Sequence, residues 1–241
     1  MDTDTDPNSA SHADEHFPLV AHVVPFVAWL FIMQMLGDPA GWKYAVRTGV
    51  CVLLFLVLRP WRWYAGLQVR NLGWAVLVGV GVFLAWIVGE SDFLQRWPTI
   101  RDAYATVGFM PPWKMAELTV NEVYSPAISG WSMTLLRIAG SAFVISFIEE
   151  FFWRGFLYRW LLAKDFLRVD LNRFDLRLFL LVALVFGLEH QRWLAGTLAG
   201  MAYGWMLLRT RDIWAVGLAH ALTNLLLGLY VVWAEKWQFW S

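Results

Sequence analysis

The chain is 241 residues long, 59% hydrophobic and 16% charged, with 17 Trp and a formal net charge of zero. A soluble domain carries about 45–50% apolar and roughly 25% charged residues, so an ordinary soluble globule is excluded, and so are disordered, collagen-like and disulfide-rich chains. Nineteen basic residues balance nineteen acidic ones, which gives no case for nucleic-acid binding, and the single Cys51 has no partner within the chain.

From the N-terminus, Met1–His16 holds five acids (Asp2, Asp4, Asp6, Asp14, Glu15), no Lys or Arg and few apolar side chains. It cannot offset its ordering entropy and is expected to be a disordered acidic tail, residues 1–16, outside the domain 17–241. It lacks the positive start of a secretory signal. A spanning helix needs about 20 mostly apolar residues. Candidate spans are Phe17–Leu36, Tyr44–Leu58, Leu72–Gly89, a stretch within Gly130–Leu162, Leu178–His190, Leu194–Leu208 and Ile213–Trp233. The fold class expected is all-α, a polytopic bundle of about seven transmembrane helices. No barrel-type alternation appears, and lipid leaves helices as the other solution. Gly196, Gly200 and Gly204, spaced by four, suit close helix packing.

Glu90–Pro126 is the longest polar connection, with four prolines among Trp97, Trp113 and other aromatics, and suits a loop in the interface. Lys and Arg concentrate after Leu58, after Leu162 (Lys164, Arg168, Arg173, Arg177) and at Arg209 and Arg211. By the positive-inside rule these loops face the cytosol, and with them the N-terminus.

Ionisable groups inside hydrophobic spans are costly and are functional hypotheses by default. They fall in three clusters: Phe147-Ile148-Glu149-Glu150-Phe151-Phe152-Trp153-Arg154, Phe186-Gly187-Leu188-Glu189-His190 and His220-Ala221-Leu222-Thr223-Asn224. Glu150 and Arg154, four apart with the acid first, suit an ion pair. Glu149 points about 100° away and is left without a local cation, free for general-base work. His220 and Asn224 share a face. Counted along unbroken helices at about 1.5 Å per residue, Glu149 and His190 each lie about 20 Å from one membrane face, and His220 roughly 14 Å. The three clusters can therefore converge near mid-bilayer. The plain alternatives are a structural Glu150–Arg154 pair, histidines that only pack, Glu189 facing water at a helix end, and Trp193, Trp205 and Trp214 as interfacial anchors.

The ordered set Glu149-Glu150-x-x-x-Arg154, Phe186-x-x-x-His190 and His220-x-x-x-Asn224 resembles the three motifs of the CPBP (Abi/CAAX protease) intramembrane peptidases. Gly187-Leu188-Glu189-His190, Trp193-Leu194-Ala195-Gly196 and Trp237-Gln238-Phe239-Trp240 look like the bacterial CAAX prenyl protease-related group associated with exosortase systems. The resemblance implies a membrane peptidase in which Glu149 is the general base and His190 helps to activate water. Glu150 and Arg154 would hold Glu149 in place, His220 and Asn224 would bind the oxyanion, and Phe186 would contact substrate. A zinc ion on Glu149, His190 and His220 is the alternative, a possible metalloendopeptidase, and the metal-free arrangement is preferred because Asn224 is a poor zinc ligand and a good oxyanion donor. The expected partners are a membrane-associated protein or peptide substrate, the lipid bilayer and an exosortase-type sorting system. The expected location is a bacterial inner membrane. The reading from another class is a non-catalytic assembly factor or carrier; carriers usually show inverted repeats, and none is visible.

Overall fold

The computed structural model describes residues 7–36, 41–109 and 122–240, with the backbone alone for 7–15 and Gln95. Eight helices make up the bundle: α1 Pro7–Leu36, α2 Gly41–Leu58, α3 Leu72–Val88, α4 Pro98–Val107, α5 Pro126–Leu162, α6 Leu176–Leu188, α7 Trp193–Thr210 and α8 Ile213–Ala234. No strand occurs among the described residues. The protein is an all-α membrane bundle, as its composition requires.

All seven expected apolar segments are helical, but five are long and apolar enough to cross a membrane: those of α1, α2, α3, α5 and α8. At 13 residues, α6 is too short for a full crossing, since about 20 are needed. Helix α1 begins at Pro7, ten residues before the expected start at Phe17, and Pro is suited to a first helical turn. The acidic segment is thus helical from Pro7, while residues 1–6 lie outside the described ones. The connection expected to be an interfacial loop contains the amphipathic helix α4, and its residues 110–121 also lie outside the described ones.

Helix α5 organises the core. Its 37 residues reach about 55 Å at 1.5 Å per residue, well beyond a bilayer core of roughly 30 Å. Gly130 takes a positive φ of 75°, open to glycine at little cost, and breaks the first turns away from the rest. Beyond it the helix widens twice into π turns, at Gly140–Ile145 and Phe151–Leu157. Between them lies one ordinary α turn, Ser146–Glu150, which carries both acids. The helix runs through Gly155, as the depth count requires.

Small residues set the closest approaches. A Cβ on Gly196 would stand 2.9 Å from the Gly187 Cα, and one on Gly200 would stand 3.0 Å from the Ala183 Cα. The four-residue glycine spacing on α7 is therefore a packing seam against α6. Gly79 plays the same part between α3 and α8, where a Cβ would meet the Ala219 carbonyl at 2.6 Å. Asp212 starts α8: its Oδ1 accepts from the Trp214 and Ala215 amides, and its Oδ2 accepts from Gln68 N and Asn71 Nδ2. One buried acid thus caps a helix and fastens the segment before α3.

The seam predicts an asymmetry between glycines. A Cβ on Gly187 would lie 2.5 Å from the Trp193 carbonyl and 2.6 Å from the Thr197 nitrogen, backbone atoms that cannot swing away. Gly187→Ala is expected to destabilise the protein by about 1–3 kcal/mol, the usual cost of overpacking. Gly81→Ala, which meets nothing within 4 Å, is expected to leave the melting temperature unchanged or slightly raised. Melting of the detergent-solubilised variants, followed by size-exclusion chromatography, checks both.

Candidate active site

Three helices bring the polar clusters to one junction. Glu150 on α5 is fully buried, and its Oε1 accepts from Arg154 Nη1 at 3.1 Å and from His220 Nδ1 at 2.9 Å. Arg154 also donates through Nη2 to the Gly200 carbonyl of α7, 3.1 Å away, and its guanidinium lies 4.3 Å above the Phe186 ring. The expected i, i+4 ion pair is therefore present. His220 as a second donor to Glu150 had no signal in the sequence, because the two residues are 70 positions apart along the chain.

Glu149 stands apart, as helical spacing requires. The residue is 7% exposed, its Oε2 makes no hydrogen bond among the described residues, and the same oxygen is 3.9 Å from His220 Nε2. It lines a cavity of about 400 Å³ together with Glu189, His190, His220 and Asn224. Of the sequence-derived set, Glu149, Phe186, His190, His220 and Asn224 border this space, and Glu150 and Arg154 do not.

Hydrogen bonds fix the state of the histidines. The Phe186 carbonyl can only accept, so His190 Nδ1, 2.9 Å away, carries the proton. In the neutral ring the other nitrogen, Nε2, is then a lone pair. His220 stacks on Tyr203 with centroids 4.8 Å apart and planes 22° from parallel. Tyr203 donates to Thr223 Oγ1 at 2.8 Å. Tyr203 was not singled out in the sequence, and it clamps the ring plane of His220. Asn224 donates one Nδ2 hydrogen to the Ser141 carbonyl at 2.9 Å, within the first π turn, and keeps a second hydrogen.

Two further residues differ from their sequence-level reading. Glu189 does not simply face water at a helix end: it lines the cavity with its Oε2 buried and without a hydrogen-bond partner. The Trp153 indole lies beside it without closing a hydrogen bond. Phe186 also borders the cavity, but its ring is 1% exposed and packs between Arg154, His190 and Trp153.

A metal was tested against the same groups. Among the described residues no set of three His, Cys, Asp or Glu side chains is arranged to hold an ion. His220 Nδ1 donates to Glu150, and Glu149 Oε2 stands 3.9 Å from His220 Nε2.

One acid of the pair, two histidines and an amide thus border one polar cavity of a helical membrane protein. Residues 131–226 match the family model described as type II CAAX prenyl endopeptidase Rce1-like, a segment that holds all seven residues of the three motifs. This segment, well under half of the chain, is similar to the CPBP (CAAX protease) family. No curated protein and no solved structure matches it. The family match supports a CAAX-type intramembrane endopeptidase in general, acting on a membrane-associated substrate.

The shared Glu150 oxygen makes Arg154 a structural requirement. Arg154→Ala leaves a buried carboxylate with one neutralising partner fewer and a bare Gly200 carbonyl. A loss of about 3–5 kcal/mol is expected, seen as reduced folded yield and a lower melting temperature. Arg154→Lys should recover part of the yield, but it cannot reach Glu150 and Gly200 with one planar group.

Proposed function

We propose that the protein is a metal-free, glutamate-dependent intramembrane endopeptidase that hydrolyses a peptide bond of a membrane-associated protein. The observation that carries this reading is the buried, unpartnered Oε2 of Glu149, a residue that lines the same cavity as His190, whose Nε2 is left with a lone pair. A buried carboxylate oxygen without a donor is costly unless water occupies it. A water between Glu149 and His190 would satisfy both acceptors with its two hydrogens and present its own lone pair to a carbonyl.

The steps follow from the donors at hand. Glu149 takes the water proton as the oxygen attacks the scissile carbonyl, and His190 orients the water. Negative charge then builds on the carbonyl oxygen. The second Asn224 Nδ2 hydrogen and, when His220 is doubly protonated, its Nε2 hydrogen can donate to it. The proton on Glu149 passes to the leaving amine as the intermediate collapses. Glu150 and Arg154 touch no reacting atom; they position Glu149 and His220. The likeness of Gly187–His190 and Trp237–Trp240 to exosortase-associated proteins is the ground for placing the substrate among sorted envelope proteins of a bacterial inner membrane.

Glu149→Gln is expected to abolish cleavage while leaving yield and melting near normal, because no protein group depends on its Oε2. Asn224→Ala should lower kcat by about 10²–10³ with KM little changed, the signature of a lost oxyanion donor. A cleavage assay of purified protein in liposomes decides; wild-type activity in Glu149→Gln would overturn the peptidase reading.

Orientation belongs to the same proposal. The basic residues from Lys164 to Arg177 are placed in the cytosol by the charge bias, and the connection from Glu90 to Pro126 on the opposite side. In a Cys51→Ser background, Lys164→Cys is expected to resist an impermeant thiol reagent added to intact cells. Labelling from outside would invert the assignment.

A further inference from the structure

The same cavity has a second polar region that the hydrolytic residues do not use. Its wall includes Arg47 of α2 and Arg137 of α5. Both guanidiniums stand over one ring, with carbons 5.0 and 4.8 Å from the Tyr44 centroid. Arg47 also lies 4.2 Å above Trp29, and Arg137 5.8 Å from Trp240. Neither forms an ion pair with a carboxylate among the described residues, and the Nε of each is buried without an acceptor. The hydroxyl of Thr48, one residue beyond Arg47, is likewise buried and unpaired. By contrast, Arg192 at the same cavity is neutralised by both Glu90 oxygens.

Two cations packed on one aromatic frame, in a low-dielectric wall, repel each other; Arg137 Nη1 donates to the Tyr44 hydroxyl at 3.3 Å, but the Nε hydrogen of each finds no acceptor. An acid supplied from outside the chain removes both costs, and a planar carboxylate suits guanidinium donors. The position says whose acid it is. Arg137 precedes Glu149 by twelve residues on one helix, about 18 Å at 1.5 Å per residue. An extended peptide covers that distance with about five residues at roughly 3.3 Å each. A peptide whose scissile bond lies at Glu149 can therefore place a carboxylate at the arginine pair.

We propose that Arg47 and Arg137 form a carboxylate-recognition subsite, so that the substrate is a peptide bearing an acidic group about five residues from the cleaved bond. The inference rests on the peptidase reading, but its test is binding and does not depend on turnover. Three dansylated, leucine-rich pentapeptides serve as probes, titrated by fluorescence anisotropy in a neutral maltoside detergent. One has a free C-terminal carboxylate, one is its amide, and one is an amide with a single internal glutamate. Charge-assisted hydrogen bonds are expected to make at least one acidic probe about tenfold to a hundredfold tighter than the neutral amide. Which acidic probe gains shows whether a chain end or a side chain is read. Arg47→Gln and Arg137→Gln should each abolish the preference without altering binding of the neutral amide, and the Lys variants should keep part of it. Equal binding of all three probes to the wild-type protein would overturn the proposal, even if the Gln variants fail to fold. So would displacement of every probe by short-chain phosphatidylglycerol but not by its uncharged counterpart, which would assign the pair to a lipid headgroup. If Glu149→Gln still cleaves while the acid preference holds, the peptidase mechanism falls and the subsite stands.

Discussion

One oxygen atom holds the centre of this protein together. Glu150 Oε1 accepts from Arg154 on its own helix and from His220 on α8, while Arg154 reaches on to the Gly200 carbonyl of α7. In lipid each of these groups would be prohibitively costly alone, and together they neutralise one another. The junction fixes three helices in register, so that His220 cannot turn without breaking a buried charge-assisted bond. Because Glu150 and Arg154 absorb that structural duty, Glu149 is left free one residue earlier.

The π turns explain how one helix can serve both duties. A π turn shifts the backbone bond from i+4 to i+5 and widens the helix, and such turns are frequent at functional sites. In the first, the Ser141 carbonyl accepts from Asn224. In the second, the Gly155 carbonyl accepts from the Tyr64 hydroxyl and from Arg159 Nη1. Tyr64 is also within 2.9 Å of His22 Nε2, so α1 and the segment after α2 are bound to this turn. Each widening thus exposes a carbonyl that an outside donor claims, and the short α turn between them is anchored from both sides. A substitution that restored regular α geometry would rotate the acids relative to His190.

How much of this could be read in the sequence depends on range. Relations within one helix were legible: the Glu150–Arg154 spacing, the separate direction of Glu149, the shared face of His220 and Asn224, and the glycine seam of α7. The convergence of three clusters was also legible, because depth along a spanning helix is nearly linear in residue number. Contacts between distant segments were not, and so Tyr203, the second partner of Glu150, the Tyr64–Gly155 bond and the arginine pair carried no signal. Glu189 shows the limit well. Its position beside a helix end favours water, yet α7 turns back against it through Gly187 and Gly196 and closes it into the cavity. Of the seven apolar segments, five are long and apolar enough to cross a membrane, and α6, at 13 residues, is too short for a full crossing.

The floor of the cavity is held by charge as firmly as its centre. Arg192, two residues after His190, is 3% exposed and donates to both oxygens of Glu90 and to the Gln238 carbonyl. Its guanidinium also lies 4.5 Å from the Phe239 ring. Next to it, the Trp193 indole donates to the Val107 carbonyl at the end of α4. The short segment carrying His190 is therefore tied to the end of α3, to the connection that follows it and to the C-terminal turn. This segment lies between two helices, where the backbone is otherwise free to move, and the water-activating role proposed for His190 needs a fixed ring. The Nδ1 bond to Phe186 sets its tautomer, while Arg192 sets its place. Catalytic geometry at the end of a short helix is thus secured by an ion pair contributed from 102 residues earlier in the chain.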